Sequence, residues 1–152
     1  MKRRIWRLII LIAALALASG CAQTAPTAES TPELSDDPLL SFTGEVENQL
    51  ALSMTNLHGM DVVDKTIEHP KDGDQIYTGI MLSTLLDEAQ PSDDAILTFT
   101  AVDAYSVDMP VSDAEACADC MVAFYDQDSL RLVMPGFGSS FWVKDLVSIE
   151  AK

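Results

Sequence analysis

The segment that most limits what this chain can fold into is its first one. Lys2, Arg3, Arg4 and Arg7 form a basic start, and Leu8 to Ala18 follows as 11 residues without a charge. That run is short for a spanning helix, which needs roughly 20 apolar residues, and it suits the apolar core of an export signal. Small residues stand at Ala18, Ser19 and Gly20, and Cys21 comes next. A plain export signal needs small residues at its cut but no cysteine, so Cys21 calls for a reason of its own.

Leu17-Ala-Ser-Gly-Cys21 resembles the lipobox of bacterial lipoproteins, with Ala18 where that family most often has Leu. The resemblance implies that the Cys21 thiol takes a diacylglyceryl group, that residues 1–20 are removed, and that the new amine is acylated. Two or three acyl chains hold firmly, because each buried CH₂ adds about 0.8 kcal/mol and one chain alone is marginal. The alternative is an ordinary secreted protein whose first residues include a cysteine. In lipoproteins of enteric-type bacteria Asp at the place after the cysteine marks retention at the inner membrane; Ala22 stands there, so the resemblance implies the outer membrane in a cell that has one. The expected location is the cell envelope, with the domain facing the periplasm or the exterior.

Cutting the signal sharpens the charge imbalance. The full chain carries −15, and the four basic residues of the start leave 5 Lys+Arg against 24 Asp+Glu, or −19. Such a surface repels nucleic acid and anionic headgroups, so nucleic acid is not an expected partner. Residues 22–39 are rich in Ala, Thr, Ser, Pro and acid and lack an apolar period. With Cys21 they read as a lipidated, flexible tether of residues 21–39. It reaches at most about 60 Å extended and averages on the order of 25 Å as a coil.

Residues 40–152 read as one domain, long enough to bury a core. Leu40 to Val46 alternates as a strand, and Leu50 to Leu57 reads as a short helical turn with Ser53 as N-cap. Val62 to Glu68 and Gln75 to Thr78 flank the turn cluster Pro70 to Asp74, which predicts a hairpin. Ile80 to Ala89 is the clearest helix, with Leu82, Leu85, Leu86 and Ala89 on one face, Ser83 as cap and Pro91 beyond its end. Ala95 to Val102 and Tyr105 to Met109 read as strands. Ser112 to Cys117 reads as a short helix, capped by Ser112 with Glu115 completing a capping box. Met121 to Tyr125, Leu130 to Met134 and Phe141 to Ile149 are strand-like, with a turn at Asp126 to Asp128 and a loop at Pro135 to Gly138. The sum is an α+β domain, mixed and mostly β, with a few short helices.

Several stretches carry a second resemblance. Tyr77-Thr-Gly-Ile-Met-Leu-Ser-Thr-Leu-Leu-Asp-Glu-Ala89 is similar to the W-x-G-v-p-L-x-x-L-L-x-x-A stretch of the sulfite-oxidase-like molybdopterin-binding domain. Leu97 to Tyr105 resembles that family's strand ending in Asp-Gly-Tyr, and Leu130-Arg-Leu-Val-Met-Pro-Gly136 its plRlvvPG strand. Phe141 to Glu150 resembles the closing w-vK-l-x-x-I-e, and Phe42 to Val46 and Leu52 to Leu57 resemble the opening. The order holds over nearly all of residues 40–152.

The resemblance implies the fold and names four candidate pocket residues: Asp103, Tyr105, Arg131 and Lys144. Ala104 stands where the family has Gly, so the favoured reading of Asp103 and Tyr105 is a strand-end turn. Arg131 is expected to meet a carboxylate. Catalytic relatives ligate molybdenum through a cysteine ahead of the W-x-G stretch, whereas Asp61 to Ile76 contains none. They also hold the pterin's phosphate with basic side chains, which strengthen such bonds. The cut chain offers only Lys65, Lys71, Arg131, Lys144 and Lys152, with His58 and His69.

Cys117 and Cys120 admit three readings: a local disulfide suited to an oxidising envelope, a thiol redox pair, or metal ligands. Zinc wants four ligands and no second pair is visible. Haem attachment would want His after the second cysteine, where Met121 stands. Asp113, Glu115 and Asp119 oppose a thiolate there. His58 and His69 read as surface loop residues, and Phe141 and Trp142 as core. The acidic runs Asp61–Asp64 and Asp72–Asp74 lack the EF-hand order, so no calcium is expected. The leading expectation is a binding or accessory lipoprotein without a cofactor, taking a small ligand or a protein partner in the envelope. The alternatives are a molybdopterin-dependent oxidoreductase, or its electron-transfer partner, with atypical ligation, and a thiol redox protein using the CxxC pair.

Overall fold

Alternation of apolar and polar residues becomes two sheets. The computed structural model describes residues 37–126 and 128–152; the expected export signal, Cys21, most of the expected tether and Gln127 lie outside the described residues. The strands are β1 (Leu40–Gly44), β2 (Leu50–Leu52), β3 (Val62–His69), β4 (Gly73–Met81), β5 (Ile96–Ala101), β6 (Ser106–Pro110), β7 (Met121–Tyr125), β8 (Ser129–Val133) and β9 (Leu146–Ala151). The helices are α1 (Met54–Gly59), α2 (Leu82–Ala89) and α3 (Val111–Glu115), with a 3-10 turn at Ser139–Phe141. One sheet runs β2-β1-β9-β5-β6 and the other β3-β4-β7-β8. All pairings are antiparallel except β1 with β9, which are parallel. The predicted hairpin is β3–β4, in register from Val62↔Ile80 to His69↔Gly73.

Period-2 alternation puts one face of each strand into the core. Phe42, Ile149 and Phe99 lie side by side across β1, β9 and β5 and are all fully buried. From the second sheet Ile80, Val122, Leu130 and Leu132 join the same core, and α2 adds Leu82, Leu85, Leu86 and Ala89. Each such leucine or phenylalanine stabilises the fold by about 1.5–3 kcal/mol through burial. The other face of the second sheet carries a smaller cluster of Ile67, Met121, Ala123 and Val133, with Trp142 and Tyr77 packed against it.

Some boundaries differ from the sequence reading, each for a local reason. Leu50–Leu52 is a strand, because it pairs with Leu40 to Phe42 before the helix begins. Ser53 does cap α1, and Asn56 completes a capping box with it: the Asn56 N–H donates to Ser53 Oγ at 3.3 Å, and the Ser53 N–H donates to Asn56 Oδ1 at 3.0 Å. Ser53→Ala is expected to lower stability by about 1 kcal/mol in urea unfolding, with Ser53→Thr keeping most of it.

Ser83 does not cap α2. Ile80 and Met81 stay in β4, paired with Val122 and Met121, and Leu82 donates its N–H to Cys120 O at 2.9 Å. Helix α2 therefore starts at Leu82 with no side-chain cap, and Ser83 lies within it. Nor does Ser112 cap α3. Pro110 holds that place while still paired with Ile96 in the sheet, and Val111 donates to Ala95 O at 3.0 Å. Tyr105 precedes β6 instead of opening it. Phe141 to Asp145 is not strand: Phe141 ends the 3-10 turn, and Asp145 has φ 52°. Asp tolerates that left-handed backbone better than most residues, and it re-aims the chain into β9.

Candidate functional site

The segment from the 3-10 turn to β9 bonds to both sheets. On one side the Leu132 N–H donates to Val143 O at 2.8 Å, and Arg131 and Lys144 form an isolated bridge. On the other, the Val102 N–H donates to Asp145 O at 2.9 Å, and the Tyr105 hydroxyl donates to Ser140 O at 2.9 Å. Three of the four candidate residues, Tyr105, Arg131 and Lys144, thus meet on one short stretch. Asp103 shapes the approach: its Oδ1 accepts the Tyr105 N–H at 3.0 Å across Ala104, whose φ is 67°. This is an Asx-type turn, and it keeps a glycine-like backbone although Ala104 carries a Cβ.

Arg131 does not meet a carboxylate among the described residues. Its guanidinium carbon lies 4.1 Å from the centre of the Tyr125 ring, a cation–π contact. The cause is register. Arg131 pairs with Ala123 and Ser129 with Tyr125, so Tyr125 is Arg131's diagonal neighbour, within reach of a long side chain. Arg131 Nε and Trp142 Nε1 are both buried without a hydrogen-bond partner. Lys144 is exposed.

His58 is exposed as expected, though in a helix and not a loop, and His69 differs from expectation. His69 ends β3 with a side chain only 14% exposed, its ring edge-on to Trp142 at 4.9 Å. His58 lies in α1 and stacks on Phe124 at 4.3 Å. Phe141 and Trp142 are half-buried.

A second feature surrounds the CxxC loop. Cys117 and Cys120 are joined in a disulfide between α3 and β7. Cys117 is half-buried and lines a cleft of about 600 Å³ together with Asp113, Asp119, Pro135 and Phe137. Cys120 is fully buried. Lys65 reaches over from β3, donating to Ala118 O at 3.3 Å and pairing with Asp119.

No protein-family description and no curated protein matches this chain. Among solved structures it is similar to the sulfane dehydrogenase SoxCD from Paracoccus pantotrophus. The identity is 18%, the TM-score is 0.61, and the match covers 74% of this chain and 37% of that one. Over the matched part the chain shares the fold of that structure. It spans little more than a third of that protein's chain, and the likeness is one of fold.

The residues that a molybdenum–pterin group would need are a thiolate and a set of free cations. Asp61 to Ile76 is the β3–β4 hairpin and holds no cysteine. The two cysteines among the described residues are bonded to each other, so neither offers a thiolate. Lys65 is engaged by Asp119 and Lys152 by Glu150, Arg131 lies on Tyr125, and Lys71 and Lys144 are exposed. This donor set does not fit the group. Among the described residues there is no cluster of His, Cys, Asp and Glu with metal-ligand geometry, and no helix long and apolar enough to cross a membrane.

Proposed function

We propose that this chain is an envelope lipoprotein, held to its membrane through Cys21, whose domain uses a sulfite-oxidase-like fold as a binding or accessory module without a molybdenum cofactor. The observation that carries this reading is the disulfide. The described cysteines are committed to each other, and the hairpin where relatives place the metal ligand has none. The fold's likeness to SoxCD supports a distant relation to molybdopterin enzymes and leaves this chain's own role to its residues. The module takes a small ligand or a protein partner in the envelope, and a domain this acidic is suited to neutral or cationic ones.

Elemental analysis of the native lipoprotein tests this, together with a pterin assay, on protein purified from its own envelope in cells that make the cofactor. The expected result is neither molybdenum nor pterin in a folded sample. Near-stoichiometric molybdenum with released pterin would overturn the reading in favour of an oxidoreductase with atypical ligation.

A further inference from the structure

We propose that the Cys117–Cys120 disulfide is a thiol–disulfide exchange site, attacked at Cys117 and selective for thiol donors that are cationic or neutral around their sulfur. This goes beyond the binding-module reading, which rests on the same pair in its oxidised resting form. The two sulfurs are unequal. Cys117 is half-buried and lines the cleft of about 600 Å³, whereas Cys120 is fully buried and does not line it. An incoming sulfur therefore has access to one end of the bond only, and access is one of the factors that sets exchange rates.

The balance is as follows. A donor thiolate attacks Cys117 Sγ and forms a mixed disulfide, while the Cys117–Cys120 bond breaks. The electron pair leaves on Cys120 Sγ, which takes up a proton in its buried position. A second donor thiolate, on the same molecule or another, then attacks the donor sulfur of the mixed disulfide and forms the donor disulfide, and the electron pair leaves on Cys117 Sγ, which takes up a proton. Two electrons pass from two donor thiols to this chain, and the reverse sequence reoxidises the pair.

The cleft also sets which donors enter. Asp113 and Asp119 line it, and Lys65 offsets Asp119, which leaves Asp113 as the uncompensated charge among the described residues that line it. A cleft lined by one sign of charge concentrates the opposite sign and repels its own. An anionic thiol is disfavoured at the mouth, and a thiol beside an ammonium is favoured. Phe137 adds an apolar wall that a donor side chain can pack against.

The test uses the folded protein, with cysteamine and mercaptopropionate as probes. Each rate is normalised to the same thiol's attack on oxidised mercaptoethanol. Cysteamine is expected to reduce the pair about tenfold faster than mercaptopropionate at low salt. That ratio should fall towards one at 1 M salt, where the Debye length is about 3 Å. Asp113→Asn should narrow it as well. Two further variants locate the attack: the free Cys117 of Cys120→Ser should react with maleimide much faster than the free Cys120 of Cys117→Ser. Normalised rates that are equal and indifferent to salt would overturn the selectivity. A disulfide that is reduced only in denaturant, or a faster Cys120, would overturn the site.

Discussion

Cys21→Ala is expected to abolish incorporation of labelled fatty acid into this chain in a bacterial host. The reason is chemical. The thiol is the acceptor for the first two acyl chains, and cutting after Gly20 exposes the amine for the third, as the lipobox resemblance implies. The cut chain contains only three cysteines, and Cys117 and Cys120 are bonded to each other, so no second thiol can take the lipid instead. Exchanging residues 1–20 for a plain cleavable export signal in the same variant removes the uncut apolar run as a confounding anchor. The domain should then move from the membrane pellet to the soluble envelope fraction, because each acyl chain lost removes roughly 10 kcal/mol of burial at about 0.8 kcal/mol per CH₂. Label that persists in Cys21→Ala, or wild-type protein whose mass equals the unmodified peptide, would sink the anchor.

Much of the fold was legible because strands and helices bury different periods. The face Leu82, Leu85, Leu86 and Ala89 is buried as its spacing requires. What a local period cannot show is where one element yields to the next. Ile80 and Met81 are apolar in either reading, and only the partners Val122 and Met121, far away in sequence, hold them in β4. The same limit hid the parallel pairing of β1 with β9, which joins the two ends of the domain and has no local signature.

The site was legible in part. Resemblance pointed to Tyr105, Arg131 and Lys144, and the structure brings them to one segment. Counting acids against cations favoured a carboxylate for Arg131, but register decided for Tyr125. The stretch Phe141 to Asp145 is apolar and aromatic enough to read as strand-like, yet the left-handed Asp145 turns it into a crossing between sheets. An Asp directly before an alternating apolar run is the one signal that could have marked that break. The CxxC spacing left disulfide, redox pair and metal ligands open, because spacing alone says nothing about which sulfur faces a cleft.

Gly79→Ala should be among the most damaging single-atom additions in the domain. A Cβ at Gly79 would lie 2.2 Å from Val122 O and 2.5 Å from Ala123 Cα. Both are backbone atoms of β7, so no side chain can swing aside to make room. The strands β4 and β7 pair only from Gly79 to Met81, and parting them there breaks the seam that joins the β3–β4 hairpin to β7–β8. Overpacking a core commonly costs about 1–3 kcal/mol even where side chains can adjust. With a rigid backbone opposite, the upper end of that range or beyond is expected, against a total of about 5–15 kcal/mol for a domain. The melting temperature should fall by on the order of 10 °C or more. Gly59→Ala is the control. Its Cβ would meet nothing within 4 Å, and it ends α1. Alanine is the better helix former by about 1 kcal/mol, so stability should hold or rise slightly. Far-UV thermal melts of both variants, made on the non-lipidated chain, decide the point. A Gly79→Ala melt no lower than that of Gly59→Ala would mean that β4 and β7 do not approach as closely as the packing around Ala123 requires.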